Sequence, residues 1–155
     1  MGSSEPFDST RRVRVLIVDD DKRALASLEG VLLTSYDVVA CTSPLAALDL
    51  ARGEAVRGRP FDVVCSDFRM DEMDGAELLR RVSRLPDAPA CILITGYVEV
   101  LSGEHRQAEH ILGIVVKPYH PEHIVRLVGR LGRVTRMNRS IRALTARTAM
   151  AGRRA

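Results

Sequence analysis

Val13-Arg14-Val15-Leu16-Ile17-Val18-Asp19-Asp20-Asp21 begins on β-branched and aliphatic residues and closes on three acids. The run from Arg12 to Val18 reads as a strand. Ala24, Leu25, Leu28, Val31 and Leu32 follow it at helical spacing. The alternation then repeats. Tyr36 to Cys41 is a second strand, and Ser43-Pro44 opens the next helix with serine as N-cap and proline in the first turn. Leu45, Leu48 and Ala51 continue that helix, and Gly53 and Gly58 bracket its end. Phe61 to Cys65 is a third strand, ending at Ser66-Asp67. Asp74-Gly75 opens a helix with Leu78, Leu79, Val82 and Leu85 on one face. Pro86 and Pro89 punctuate the following loop. Ala90 to Ile94 is a fourth strand, ending at Thr95-Gly96. Val98 to His110 has few apolar positions and is interrupted by Gly103, so a short, loosely held helix is expected there. Ile111 to Val116 is a fifth strand, ending at Lys117-Pro118, and Pro121 opens a last helix with Ile124, Leu127, Val128 and Leu131. Five such alternations predict an α/β fold, a parallel sheet with right-handed crossovers and helices on both faces.

Composition agrees. The chain has 155 residues, one ordinary domain with little left over, and 46% of them are apolar, enough for a core. No apolar run approaches the roughly 20 residues of a spanning helix. Met1 to Ser9 is polar and acidic, with no signal segment. Cys41, Cys65 and Cys91 each lie in or beside a Val/Ile-rich run, which suits buried thiols and a cytoplasmic setting better than a disulfide framework. The net charge of +3 hides a division: every one of the 20 acids lies at or before Glu122, and nine arginines with no acid follow it.

In a parallel sheet all strand C-termini share one edge, and ligands bind there at the point where strand order reverses. Asp19 and Asp20 follow the first strand, Asp67 the third, Thr95 the fourth and Lys117 the fifth. Three converging carboxylates repel one another, and a hard divalent cation removes that penalty. A carboxylate beside such a cation can attack a phosphoryl group and become an acyl phosphate, with an ammonium and a hydroxyl stabilising the transferred oxygens. Of the 23 basic residues only Lys22 and Lys117 are lysines. A lysine kept at a strand end suggests a site that needs a compact point charge.

Singly, each residue has an ordinary explanation. Asp19 to Asp21 can cap a helix, Asp67 can be a turn residue, and Thr95 is a strand-end threonine. Asp74-Gly75 reads as a turn and N-cap, outside the site. His120 and His123 read as solvated rather than metal-binding. Joint placement carries the argument, since residues of the needed types fall at the ends of four strands.

Four motifs then make a family resemblance. V-L-I-V-D-D-D (15–21), D-V-V-C-S-D-F-R-M-D-E-M-D-G (62–75), C-I-L-I-T-G-Y (91–97) and I-V-V-K-P-Y (114–119) resemble, in order and interval, the receiver domain of two-component response regulators. The resemblance covers residues 12–132, between a flexible N-terminus (1–11) and a basic C-terminal tail (133–155). It implies a flavodoxin-like doubly wound sheet of five parallel strands in the order 2-1-3-4-5. It also implies Asp67 as phosphoacceptor, with Mg²⁺ held by Asp20, Asp19, Asp67 and the backbone carbonyl of Arg69. Thr95 and Lys117 would contact the phosphoryl group, and the Lys117-Pro118 peptide would be cis. Phosphate would come from a sensor histidine kinase or a phosphotransfer protein, and the signal would pass to a downstream protein by contacts that depend on it.

Two positions depart from the family pattern. The switch aromatic is Ile114, which cannot make the ring rotation that accompanies movement of Thr95, and the usual proline after the acceptor is Asp71. Atypical output coupling is therefore expected. About 25 residues beyond the receiver core are too few for an output domain, so a stand-alone receiver or a fragment of a longer chain is expected. Val134, Met137, Ile141 and Leu144 continue the stripe of Leu127 and Leu131, as an extension of the last helix would, although a frayed solvated terminus is the simpler expectation. Two interactions are considered: a homodimer through the face of the fourth helix, fifth strand and fifth helix, and docking of the tail on an anionic partner. Two rival functions are a degenerate receiver used as a constitutive scaffold and a Mg²⁺-dependent aspartyl-phosphate phosphohydrolase. The latter would want an acid two residues after the nucleophile, where Arg69 stands. The chain is thus expected to catalyse only phosphorylation and dephosphorylation of its own Asp67.

Overall fold

The computed structural model describes residues 11–97 and 108–152. The helix expected over Val98 to His110 falls mainly outside them, as does nearly all of the N-terminal segment. Strands β1 (Arg14–Val18), β2 (Asp37–Cys41), β3 (Val63–Asp67), β4 (Ala90–Thr95) and β5 (Ile111–Val116) form one parallel sheet in the order β2-β1-β3-β4-β5. The described helices are α1 (Lys22–Leu32), α2 (Pro44–Val56), α3 (Gly75–Val82) and α4 (Pro121–Gly152). This is the flavodoxin-like arrangement expected from the sequence.

Strand composition follows position in the sheet. Every residue of β1 and β4 is buried, whereas the edge strands β2 and β5 keep partly exposed positions. A strand covered on both faces must be apolar on both, which is why residues 15–18 and 91–94 run without alternation. Successive side chains still point to opposite faces. Val15, Ile17, Val63, Cys65, Ile92 and Ile94 pack with α1 and α4. Leu16, Val18, Val64, Cys91 and Leu93 pack with α2 and α3. Three helices start on side-chain caps: Asp21 accepts from the N–H groups of Arg23 and Ala24, Ser43 from Ala46 and Asp74 from Glu77. Ser43 and Pro44 take the places read from the sequence.

The two sheet edges divide the polar work. At the N-terminal edge the buried Arg14 pairs with Glu54 at 2.9 Å and Asp37 at 3.3 Å, and its guanidinium lies 4.7 Å from the centre of the Phe61 ring. Helix α4 continues past this edge without a break at Gly132. A Cβ at Gly132 would collide with Val13, so glycine here permits a close helix–strand approach rather than ending the helix. One turn beyond the buried Thr135, Arg139 donates to Asp62 Oδ1 at 2.8 Å and to the carbonyls of Phe61 and Asp87, each at 2.6 Å. Asp62 Oδ2 accepts the Arg14 N–H at 2.9 Å. The start of the basic segment is therefore a helix latched beneath the sheet, not a solvated terminus.

Burial raises the Asp62 carboxyl and lowers the Arg139 guanidinium, so each charge depends on the other. Arg139→Ala leaves Asp62 buried without its counter-ion and is expected to cost about 3 kcal/mol, read from the urea midpoint. The exposed Arg142→Ala should stay within roughly 0.5 kcal/mol of the parent. Equal midpoints for the two variants would remove the latch.

Candidate functional site

Strand order reverses between β1 and β3, so a crevice opens at their C-terminal ends. Val18 pairs with Ser66, so Asp19, just past β1, and Asp67, the last residue of β3, are neighbours at this edge. Thr95 pairs with Val116, and its carbonyl accepts the Lys117 N–H at 2.8 Å, which fixes where the Lys117 side chain starts. From there Lys117 reaches across β4. Its Nζ lies 2.7 Å from Asp67 Oδ1 and 3.1 Å from Asp19 Oδ2. The Lys117-Pro118 peptide is cis.

Three of the sequence-predicted residues are thus in direct contact, and their electrostatics are uneven. Burial raises the Asp67 carboxyl above its ordinary value, with Asp19 adding to the rise and Lys117 opposing it. Burial opposes the charge on Lys117, but the hydrogen bonds and charges of Asp67 and Asp19 outweigh it and hold the ammonium above its ordinary value. Asp67 is therefore a carboxylate with little hydration, tied to one cation.

The other predicted residues are more dispersed. Asp21 caps α1, and its N–H donates to Asp19 Oδ1 at 2.9 Å, so the acid run divides into a cap and a site. Asp20 turns to the loop after β3, where its Oδ2 accepts the Asp71 N–H at 3.2 Å. Proline at position 71 could not donate that bond. Thr95 is fully buried, and its hydroxyl accepts the Tyr97 N–H at 3.0 Å. The Arg69 guanidinium lies 3.9 Å from the centre of the Tyr97 ring, clasping the loops after β3 and β4 together. Ile114 packs on the α2–α3 side of the sheet, whereas Tyr119 packs with α1 and α4 and borders a cavity of about 320 Å³ beside Asp19, Asp67 and Lys117. Ile114 and Tyr119 thus occupy opposite sides, and the tyrosine does not stand in for the missing aromatic.

A hard cation fits the chemistry of this donor set, because Asp19 and Asp67 face one positive group and every candidate ligand is an oxygen. Among the described residues, however, no group of three acids, histidines or cysteines is arranged around a common point. Asp20 stands apart from the other two, with its Oδ2 on the Asp71 N–H.

Gly75 belongs to the site although the sequence reading placed it outside. A Cβ there would fall inside the carbonyl oxygen of Asp67, and the Gly75 N–H donates to the Phe68 carbonyl at 2.8 Å. The first residue of α3 is pinned against the backbone that carries Asp67. An Asp-Gly pair shortly after a strand-end acid is the only sequence signal for it.

The profile of the response regulator receiver domain matches residues 15–129. The chain belongs to this family. The receiver is 39% identical over 92 residues to the two-component response regulator ARR2 of Arabidopsis thaliana, covering 59% of this chain and 13% of that protein. It is 32% identical over 111 residues to the transcriptional regulatory protein ZraR of Klebsiella oxytoca, covering 71% and 24%. The chain therefore spans a small part of the length of these curated relatives. In fold, the receiver matches a CheY-like receiver domain protein of Methanospirillum hungatei with a TM-score of 0.70 at 22% identity, over 81% of this chain and 97% of that one.

Proposed function

We propose that this receiver accepts a phosphoryl group on Asp67 from a sensor histidine kinase or phosphotransfer protein and signals through protein contacts that the modification alters. One observation carries the reading: a single lysine ammonium held between two poorly hydrated aspartates at the point where strand order reverses. An Asp67 oxygen attacks phosphorus, the phosphorus–nitrogen bond of the donor breaks, and its electron pair leaves with the imidazole, which takes up a proton. Lys117 is placed to follow the charge from the Asp67 carboxylate onto the phosphoryl oxygens. Bound Mg²⁺, held by Asp19, Asp20, Asp67 and the Arg69 carbonyl, would neutralise charge on those oxygens.

Signalling is a population shift driven by contacts that only the phosphorylated form makes. The Thr95 hydroxyl can donate to a phosphoryl oxygen once it turns from the Tyr97 N–H. Ile114 supplies no ring to follow that movement, so coupling to the output is atypical. No reaction on external phosphate esters is proposed, because Arg69, two residues after Asp67, is a stacked cation and not an acid. A cytoplasmic location is proposed from the family's role and the free thiols; no described helix is long and apolar enough to cross a membrane.

Incubation with Mg²⁺ and a small acyl phosphate should add the mass of one phosphoryl group, and excess chelator should abolish the gain. The absence of any gain would select the scaffold reading. A gain indifferent to chelator would remove the metal.

A further inference from the structure

We propose that the extension of α4 forms a parallel helix pair with the same helix of a second copy of this chain. The helix is two-faced beyond the receiver core. Val128, Gly132, Thr135 and Arg139 face the chain's own sheet. At about 100° per residue, Val134, Met137, Ile141 and Leu144 lie on the opposite side. These four large apolar side chains are 44%, 51%, 53% and 61% exposed. Their spacing of three and four residues alternates as in the a and d positions of a heptad, and Thr148 and Ala151 continue it with small side chains. The latch at Arg139 holds the helix in this phase, so the stripe points away from the domain and the two domains would flank the pair on its outer sides.

An uncharged stripe on an otherwise basic helix suits an identical stripe, and charge placement at its flanks sets the direction. The seam from Val134 to Ala151 contains no charged residue. Flanking it are Asn138, Thr145 and Gly152 on one side and Arg133, Ser140 and Arg147 on the other. In a parallel pair these flanks meet each other, so Arg133 opposes Asn138 and Arg147 opposes Gly152 of the other copy. An antiparallel pair would instead set Arg133 against Arg147. The stripe is also the narrow one of a helix–helix seam, not the broad apolar face with aromatics of a helix lying on a bilayer. Arg130 lies on the same line one turn earlier and marks where the two helices must diverge.

The seam is about 27 Å long and would bury on the order of 1,000 Å², at the small end of specific interfaces. Micromolar association is expected. Sedimentation equilibrium of the full chain, without phosphodonor, should show a monomer–dimer equilibrium across the micromolar range. Ile141→Asp should weaken it at least tenfold while leaving the thermal midpoint and the phosphoryl uptake unchanged, since the residue is exposed and remote from Asp67. Leu144→Cys in a Cys41→Ser background should oxidise to a covalent dimer, as a parallel seam requires. A parent chain monomeric at hundreds of micromolar overturns the proposal, whether or not it binds anionic vesicles. A dimer indifferent to Ile141→Asp overturns it as well, and moves the contact to another face. Because association is measured without phosphodonor, its failure leaves the assignment of Asp67 untouched.

Discussion

Asp67→Asn should take up no phosphoryl group from a small acyl phosphate and yet unfold no earlier than the parent chain. The two outcomes have one cause. Burial and the neighbouring Asp19 raise the Asp67 carboxyl, so its ionised form carries a penalty in the folded state. A folded-state pKa above the unfolded value gives stability that is present at low pH and lost as pH rises through the folded value. At neutral pH the parent bears this penalty, and asparagine, isosteric and neutral, does not. The nucleophile is thus kept at a cost to stability, as expected of a site selected for chemistry. Lys117→Ala should behave in the opposite way. It leaves Asp19 and Asp67 facing each other without a cation, and a loss of roughly 2 kcal/mol is expected, below the 3–5 kcal/mol of fully buried pairs because the lysine is partly exposed. Combining the two changes should recover much of that loss, since Asp67→Asn removes the repulsion that the lysine had offset. Urea midpoints of the four proteins give the coupling. Additive losses, or phosphoryl uptake that survives Asp67→Asn, would dismantle the site.

What could be read from the sequence followed from period and position. Uninterrupted apolar runs mark strands covered on both faces, and a parallel sheet places every strand end on one edge. Asp19, Asp67 and Lys117 were therefore recognisable as neighbours despite separations of 48 and 50 residues. Contacts made by backbone groups and by one member of a set of like residues were not. The Asp71 N–H that holds Asp20 leaves no trace in side-chain type. Arg139 is one of nine arginines after Glu122, and only the path of α4 beneath the sheet distinguishes it from an exposed neighbour such as Arg142. Gly132, a natural stopping point for a helix, instead admits Val13. Stacking of Arg69 on Tyr97 joins two loops whose relative placement the sheet order alone does not specify.

Gly75→Ala is the other substitution expected to have a large effect, although position 75 bears no reactive group. The added methyl would enter the carbonyl of Asp67, and although the Ser66 hydroxyl it also meets can rotate away, the contact with the Asp67 backbone cannot be relieved by turning a side chain. The Gly75 N–H bond to Phe68 prevents α3 from simply sliding outward. Relief requires either the start of α3 or the end of β3 to move, at a cost of about 3 kcal/mol. Movement of β3 carries Asp67 away from Lys117, and a displacement near 1 Å is enough to slow group transfer on the order of a hundredfold. Asp74→Ala separates this effect from weakening of the helix. It removes the N-cap that accepts from Glu77, at about 1 kcal/mol, but leaves the glycine in contact with the acceptor strand. Under conditions where both variants remain folded by circular dichroism, Asp74→Ala should be phosphorylated at nearly the parent rate and Gly75→Ala at least tenfold more slowly. Equal rates for the two would mean that the close contact supports the helix alone and that Asp67 is positioned by the sheet.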